Sequence, residues 1–388
     1  MSESKIAIPS LSDLQTHRSE KWRAFPHEVL PLPVAEMDFP VAEPIREVLI
    51  EMVKASDLGY LGAIPELGTS FAGFAKRRWN WDLNPSYVRT ATDVGVAIVE
   101  LLRIFTKPGD KVLFSSPIYQ NFYTWMRETS VEMVDVPYLI DEQSTDGTGF
   151  THDWSGIEAA YKNGIKVHLV CSPHNPLGKV YTREDLLRIV DLAKKHGVIV
   201  IADEIHAPLT YKEQPFIPFL SLGQSAADVG IAVSAASKGW NIAGLKCAII
   251  ITQSEKMHEK LNELAPAMHY RASLLGAFAT VAAFEKGEPW LDQAIVILDE
   301  NRHLVANLIA SRVPSIKYAM PHCSYLAWLD LSALNLGEDP GAVLIERAKV
   351  AFNSGHIYGP LGKSHVRLNF ATSPAIITEA IERIARVL

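Results

Sequence analysis

Three short apolar runs of the chain each lead to a polar side chain that could take part in catalysis. Asp203 directly follows its run, whereas Asn175 and Lys238 lie four and five residues beyond theirs. In an open α/β sheet, ligands bind at the carboxyl ends of the strands. If the three runs are strands of such a sheet, an amide, a carboxylate and an amine therefore converge on one crevice.

These are the groups that a pyridoxal phosphate site requires. The lysine amine forms a Schiff base with the cofactor aldehyde. The carboxylate of Asp203 keeps the pyridine nitrogen protonated so that the ring accepts electrons, and the amide of Asn175 donates to the phenolic oxygen. Tyr119 follows another apolar run and offers an aromatic ring that can lie against the flat face of the cofactor.

The phosphate of this cofactor needs hydrogen-bond donors and positive charge. Residues 92–95 lead directly into an amphipathic stretch at 96–105. A helix that begins there would aim the N–H groups of Val94 and Gly95 at the phosphate. Ser237 and Lys246 could add a hydroxyl group and a cation.

The elements that must position these side chains are short strands and amphipathic helices. The apolar runs are residues 111–114, 166–171, 198–202, 229–233 and 247–251. They are apolar on both faces, which is typical of strands covered by helices on two sides. The helix at 182–196 has a capping pair, Thr182 and Asp185, at its start and Gly197 at its end. This alternation predicts an α/β fold with a mainly parallel sheet.

The pattern changes along the chain and predicts three regions. Residues 1–45 are rich in proline and predict an arm that is extended at 30–44 and contributes to the smaller domain. Residues 46–275 carry the alternating pattern and predict a large cofactor-binding domain. Residues 276–388 predict a smaller α+β domain from a long helix at 291–311, two strands at 325–329 and 366–370, and a final helix at 374–387.

Composition excludes several classes of function. The net charge of the 388 residues is −7, which argues against a broad nucleic-acid surface. No run of about 18 apolar residues predicts a membrane span. The three cysteines are widely spaced and predict neither a disulfide framework nor a metal site. Their small number is typical of a reducing compartment, so we expect the protein in the cytoplasm.

A series of motifs along almost the whole chain resembles the fold-type I pyridoxal-phosphate enzymes, the aspartate aminotransferase superfamily. Within it, the sequence is similar to the MalY/PatB group of C–S β-lyases. The motifs are Lys21-Trp22, VAEMDF (34–39), Gly59-Tyr60, SPIYQNFY (116–123), SPHNPLGKVYT (172–182), ADEIHAPL (202–209), SAASKGWNIAGLKCA (234–248), SYLAWLD (324–330) and HVRLNFATSP (365–374). The resemblance implies an aspartate aminotransferase-like fold.

The resemblance implies the same roles for the lysine, aspartate, asparagine and stacking tyrosine described above, and it adds two residues. Arg367 falls on the arginine that binds the substrate α-carboxylate, for which a planar guanidinium is suited. Tyr60 falls on the tyrosine that reaches the phosphate in the neighbouring subunit. The resemblance therefore implies a homodimer in which each site contains residues of both subunits.

The sequence departs from the pattern of the superfamily at four positions. His206 stands where many transaminases have tyrosine, so its contact with the phenolic oxygen differs. Lys246 stands where they often have arginine, which gives the phosphate a point charge. Pro33 replaces a tryptophan that many relatives have before VAEMDF, and Ala235 replaces a common serine, which removes one hydroxyl group.

The resemblance implies cleavage of the Cβ–S bond of cystathionine or a related cysteine S-conjugate to a thiol, pyruvate and ammonia. An aminotransferase remains an alternative, because it would use the same residues and differ only in where the proton returns. A non-catalytic binding or regulatory protein on this fold is a second alternative. The presence of Lys238, Asp203 and Arg367 argues against it.

Overall fold

The computed structural model describes residues 6–141, 143–144 and 147–388. The first five residues of the expected arm lie outside this range. The α-helices are α1 (Leu11–Leu14), α2 (Glu20–Arg23), α3 (Glu43–Lys54), α4 (Pro65–Trp79), α5 (Val94–Phe105), α6 (Asn121–Glu128), α7 (Trp154–Lys162), α8 (Arg183–His196), α9 (Gln224–Val229), α10 (Ala236–Gly239), α11 (Glu255–Lys260), α12 (Ala267–Tyr270), α13 (Leu274–Lys286), α14 (Glu288–Arg312), α15 (Pro340–Ala348) and α16 (Pro374–Val387).

The strands form four sheets. They are β1 (Leu30–Pro31), β2 (Val88–Ala91), β3 (Lys111–Phe114), β4 (Glu132–Asp135), β5 (Leu139–Ile140), β6 (Phe150–Thr151), β7 (Ile165–Cys171), β8 (Ile199–Asp203), β9 (Gly230–Ser234), β10 (Ala248–Ile251), β11 (Lys317–Tyr318), β12 (Leu326–Asp330), β13 (Val350–Ala351), β14 (Asn353–Ser354) and β15 (His365–Asn369).

The largest sheet has seven strands in the order β2-β10-β9-β8-β7-β3-β4. The pairs from β9 to β4 are parallel, and β10 is antiparallel to both of its neighbours. Alternate residues of the central strands face opposite apolar cores: Val200 and Ala202 of β8 lie in one core, and Ile201 lies in the other. The mainly parallel sheet expected from the sequence is confirmed.

The register of the central strands positions the site. Cys171 at the end of β7 is the Cα partner of Asp203, and Asp203 at the end of β8 is the partner of Val233. Because these parallel strands end side by side, the segments that follow them emerge at one edge of the sheet.

A smaller antiparallel sheet has the order β11-β12-β15-β14, and α14 and α16 pack against each other beside it. This is the expected smaller α+β part. β1 pairs in parallel with β13. The N-terminal arm therefore packs against the C-terminal part of the chain, directly before β14. α13 runs across the expected boundary at residue 275, and the division into three regions stays a prediction.

The structure corrects the expectation of an extended chain throughout residues 30–44. The chain bends at Val34, Ala35 and Phe39, and α3 begins at Glu43 and contains Pro44 in its first turn. Proline is tolerated there because the first N–H groups of a helix have no partner within the helix. The helix predicted at 182–196 is confirmed, with Thr182 and Asp185 forming a capping box.

We find no helix in the described residues whose length and apolar character would let it cross a bilayer.

Candidate active site

A cavity of about 690 Å³ lies at the carboxyl edge of the large sheet. Ten of the eleven residues that the sequence singled out line it. They are Val94, Gly95, Tyr119, Asn175, Asp203, His206, Ser237, Lys238, Lys246 and Arg367. Tyr60 is not among the lining residues, and 92% of its surface is exposed.

Lys238 lies in the short helix α10, which follows β9 after one residue. Its Nζ donates a hydrogen bond to the backbone oxygen of Ala35 at 2.9 Å. Burial lowers the pKa of Lys238 to about 8, because the ammonium form loses hydration, and the Arg367 guanidinium adds repulsion. Glu36 and Asp203 oppose this shift. About a tenth of Lys238 is therefore neutral at pH 7, far more than of an ordinary lysine, and able to act as a nucleophile or base.

Asp203 is the last residue of β8 and is only 4% exposed. Its Oδ1 accepts a hydrogen bond from the Ile205 backbone N–H at 3.1 Å. Burial raises the pKa of Asp203 to about 7, and the hydrogen bond and the charge of Lys238 oppose the rise only in part. Within the described residues no cation forms an ion pair with this carboxyl group.

His206 is buried, and its Nδ1 has no hydrogen-bond partner in the described part of the protein. Burial lowers the pKa of His206 to about 3, and the nearby cations Lys238 and Arg367 lower it further. The ring is therefore neutral, with one ring nitrogen left to bond to a group in the cavity.

Arg367 on β15 connects the smaller sheet to this edge of the large sheet. Its Nη1 donates to Oδ1 of Asn175 at 3.0 Å, and its Nη2 donates to the Pro33 backbone oxygen at 2.8 Å. Nε is buried without a partner among the described residues. Since each Nη atom carries a second N–H, the guanidinium can still bind a carboxylate. The amide nitrogen of Asn175 is likewise left to donate.

One end of the cavity is formed by the first turn of α5. Asp93 caps this helix by accepting the Val96 N–H at Oδ1, 2.8 Å away. The N–H groups of Val94 and Gly95 precede the helical hydrogen bonds, so they are available to an anion. A Cβ atom on Gly95 would lie 2.8 Å from Nε1 of Trp125, and only glycine lets the indole ring pack there.

Lys246 and Tyr119 also line the cavity. Lys246 is more than half exposed, and its Nζ lies 3.1 Å from Oδ2 of Asp93. Its ammonium group therefore forms an ion pair with the residue that caps α5. Tyr119 follows β3, and its hydroxyl oxygen accepts a hydrogen bond from Nδ2 of Asn121 at 2.8 Å. Burial raises the pKa of Tyr119, which keeps the phenol neutral.

Comparison with known proteins gives the family of the chain. The family described as aminotransferase class I and II matches residues 28–384. The chain belongs to this family. The cystathionine beta-lyase of Corynebacterium glutamicum is 34% identical, over 99% of this chain and 100% of its own. The cystathionine beta-lyase PatB of Bacillus subtilis is 32% identical, over 93% of each chain.

A solved structure agrees with this placement. The crystal structure of cystalysin from Treponema denticola, which contains a pyridoxal 5'-phosphate cofactor, superposes with a TM-score of 0.91. Its sequence is 28% identical, and the comparison covers 100% of this chain and 99% of that one. The expected fold class is confirmed by this similarity.

The residues of this class I and II aminotransferase chain fit pyridoxal phosphate. A buried carboxyl group without a cation suits a protonated pyridine nitrogen, which would supply the missing positive charge. The unpaired Nδ1 of His206 and the free amide of Asn175 can face the polar edge of the ring. The open first turn of α5 suits a phosphate. The individual roles stay predictions.

Sequence reasoning missed several groups that belong to the cavity. Trp125 packs against the start of α5, and Arg271 lies exposed at the cavity mouth. Neither has a local signal, because a tryptophan in an amphipathic helix and an arginine in a polar loop are common. The backbone oxygens of Pro33 and Ala35 were also missed, since a carbonyl group has no signature in the residue types.

Gly95→Ala tests the phosphate end of the cavity. The added methyl group forces Trp125 or the first turn of α5 to move, so the affinity for pyridoxal phosphate should fall about tenfold or more. We expect this in an absorbance titration of cofactor-stripped protein. Gly73→Ala in α4 is the control, because its new methyl group meets only the flexible end of Arg77. Equal affinities for the two variants would contradict the assignment.

The pKa of Lys238 gives a second prediction. An ammonium group is unreactive, so acetylation of Lys238 by acetic anhydride should rise with pH through a midpoint near 8 in cofactor-stripped protein. Arg367→Gln removes a repelling cation and should move the midpoint to higher pH. Peptide mass spectrometry measures the modification. A midpoint near the ordinary lysine value of about 10.4, or one that Arg367→Gln leaves unchanged, would refute this account.

Proposed function

We propose that this protein is a pyridoxal-phosphate-dependent C–S β-lyase. It cleaves cystathionine or a related cysteine S-conjugate, with water, to a thiol, pyruvate and ammonia. The observation that carries the proposal is one cavity in which Lys238, Asp203 and Arg367 meet, in a chain similar over its length to cystathionine beta-lyases.

When bound, pyridoxal phosphate supplies an aldehyde that bonds to amines and a protonated ring that accepts an electron pair from Cα. The chain offers residues to both the ring and the phosphate of the cofactor. Asp203 at the end of β8 and Asn175, which follows β7, would contact the ring. Tyr119 would lie against the face of the ring. Val94 and Gly95 offer backbone donors to the phosphate, and Ser237 and Lys246 add a hydroxyl group and a charge. His206 offers its unpaired nitrogen to the ring edge.

Lys238 is the proton carrier of the proposed reaction. A neutral Nζ takes the proton from Cα of the substrate, and the lowered pKa makes this form available near neutral pH. The resulting ammonium can donate its proton to the departing sulfur or retain it. Lys238 is therefore both the attachment point of the cofactor and the catalytic base.

Arg367 binds the α-carboxylate of the amino-acid substrate. The guanidinium is held from two sides, by Asn175 and by the Pro33 carbonyl, so it presents its remaining N–H groups in a fixed direction. This fixes the orientation of the Cα–H bond relative to Lys238. Orientation of this kind accounts for a large part of many rate enhancements.

The proposed enzyme is a homodimer in which Tyr60 reaches the neighbouring site. Leu58, two residues before Tyr60, and Val53 at the end of α3 are also exposed apolar side chains. The exposed Tyr270 belongs to the same surface, because a ring nitrogen of His269 lies 3.1 Å from the Gly62 oxygen. Such a patch supports a protein contact at this surface.

A reducing compartment suits the cysteines, and we propose the cytoplasm. Cys171, Cys247 and Cys323 are all buried and free.

The substrate assay tests the proposal directly. Purified holoenzyme mixed with cystathionine should release pyruvate and free thiol, and Lys238→Ala should reduce the rate by about 100-fold or more, because it removes the base. Lys194→Ala, on the exposed surface of α8, is the matched control and should retain the rate. Amino-group transfer to a keto acid, with no pyruvate from the substrate, would favour the aminotransferase instead.

Hybrid dimers test the position of Tyr60. Tyr60→Ala and Lys238→Ala chains, co-expressed with different tags, should form mixed dimers that contain one complete site. In equal amounts they should recover about a quarter of wild-type activity, since half of the dimers are mixed and half of their sites are complete. Replacing the second chain by the double variant Tyr60→Ala/Lys238→Ala should abolish the recovery. No recovery from the Tyr60→Ala and Lys238→Ala pair would show that Tyr60 is not shared between subunits.

A further inference from the structure

Residues 32–38, of which Val34 and Ala35 line the cavity, form a segment that we call the strap. Every backbone carbonyl from residue 32 to 37 accepts a hydrogen bond from a distant part of the chain. The donors are Asn369 N for Leu32, Arg367 and Asn353 for Pro33, Asn369 Nδ2 for Val34, Lys238 and Tyr325 for Ala35, Asn369 Nδ2 and Lys21 for Glu36, and Asn241 for Met37.

The far end of the strap is fixed in the protein interior. Asp38 pairs with the ammonium group of Lys21 at 2.8 Å, and both side chains are buried. The indole N–H of Trp22 donates to the other carboxylate oxygen, also at 2.8 Å. A buried pair with these extra hydrogen bonds cannot shift without exposing an unpaired charge. The strap is therefore anchored beside the cavity.

Lys238 and Arg367 each have an asparagine close by in the chain that binds the strap. Asn241, three residues after Lys238, pairs with both the N–H and the carbonyl of Met37, each at 2.8 Å. Asn369, two residues after Arg367 on β15, donates to the Val34 and Glu36 carbonyls at 2.7 and 2.6 Å. Asn241 and Asn369 do not line the cavity, but they fix the position of the strap relative to Lys238 and Arg367.

The Ala35 carbonyl between these attachments can receive an amine and release it again. It accepts Nζ of Lys238 at 2.9 Å and the hydroxyl group of Tyr325 at 3.0 Å. A carbonyl oxygen has two lone pairs, so it remains bonded to Tyr325 when the lysine leaves. No buried acceptor is left unpaired in either state, which removes the usual cost of breaking such a bond.

We infer that Asn241 and Asn369 are positioning residues for Lys238, because they hold the Ala35 carbonyl where it receives the lysine amine whenever that amine is not bonded to the cofactor. The inference rests on the proposed function, in which Lys238 is freed in each cycle. The strap then limits the freed amine to one place beside the substrate.

Asn241→Gly is the first test variant. It removes the amide and adds no charge near Lys238, whose charged neighbours Arg367, Glu36, Asp203 and Lys246 stay unchanged. Glycine also tolerates the left-handed backbone at this position, where φ is 58°. Asn335→Gly is the matched control, because Asn335 has a similar φ of 53° and is exposed. Asn369→Ala is the second variant, on the other side of the strap.

The first readout is the acetylation of Lys238 against pH in the cofactor-stripped full chain. The Ala35 carbonyl stabilises the ammonium form, so loosening the strap should lower the midpoint by roughly one pH unit in Asn241→Gly and in Asn369→Ala. The control should keep the wild-type midpoint. If Asn369→Ala fails to fold, Asn241→Gly alone decides. A wild-type midpoint in Asn241→Gly would overturn the inference.

The second readout is the kinetics of pyruvate release by the holoenzyme. A misplaced amine should lower kcat about tenfold, whereas KM should change less than about threefold because Arg367 keeps its bond to Asn175. A variant with raised KM and unchanged kcat would overturn the inference, since the strap would then act on substrate binding. If the wild type releases no pyruvate but the acetylation midpoint shifts, the proposed function fails and the positioning of Lys238 stands.

Discussion

The hydrogen bond from Arg367 to Asn175 joins the seven-stranded sheet to the smaller antiparallel sheet at the wall of the cavity. Asn175 follows a strand of the large sheet, and Arg367 lies within a strand of the smaller one. Any movement of one sheet against the other changes the distance from the Arg367 guanidinium, the proposed carboxylate-binding group, to the groups at the large sheet's edge. This contact therefore sets the geometry that Lys238 and Asp203 require.

The electrostatics of the cavity follow from burial among a few opposing charges. Lys238 and Asp203 are each pushed toward their neutral forms by loss of hydration, and no close ion pair joins them within the described residues. A cavity with this balance favours an aromatic ring that carries one positive and several negative groups. Arg367, held by neutral partners only, keeps its full charge for a carboxylate.

Much of this site could be predicted because its side chains follow strands with a clear pattern. The apolar runs that end near residues 171, 203 and 233 predicted three parallel strands, and each end agrees with the structure within one residue. The parallel register of these strands then brings the segments that follow them together. Contacts made through backbone atoms, such as those of Pro33 and Ala35, leave no trace in residue types. Helix α3 was missed at its start because Pro44 argues against a helix everywhere except in the first turn. The proposed role of Tyr60 involves a second chain, so the fold of one chain does not test it.

At Val34 and Ala35 the strap is attached to its surroundings through its carbonyl oxygens. These two residues also line the cavity, so their side chains can differ while the attachments persist. Mutant libraries randomised at these two positions would reshape the wall next to the bound molecule without disturbing the scaffold. The segment is a natural starting point for directed evolution toward other leaving groups.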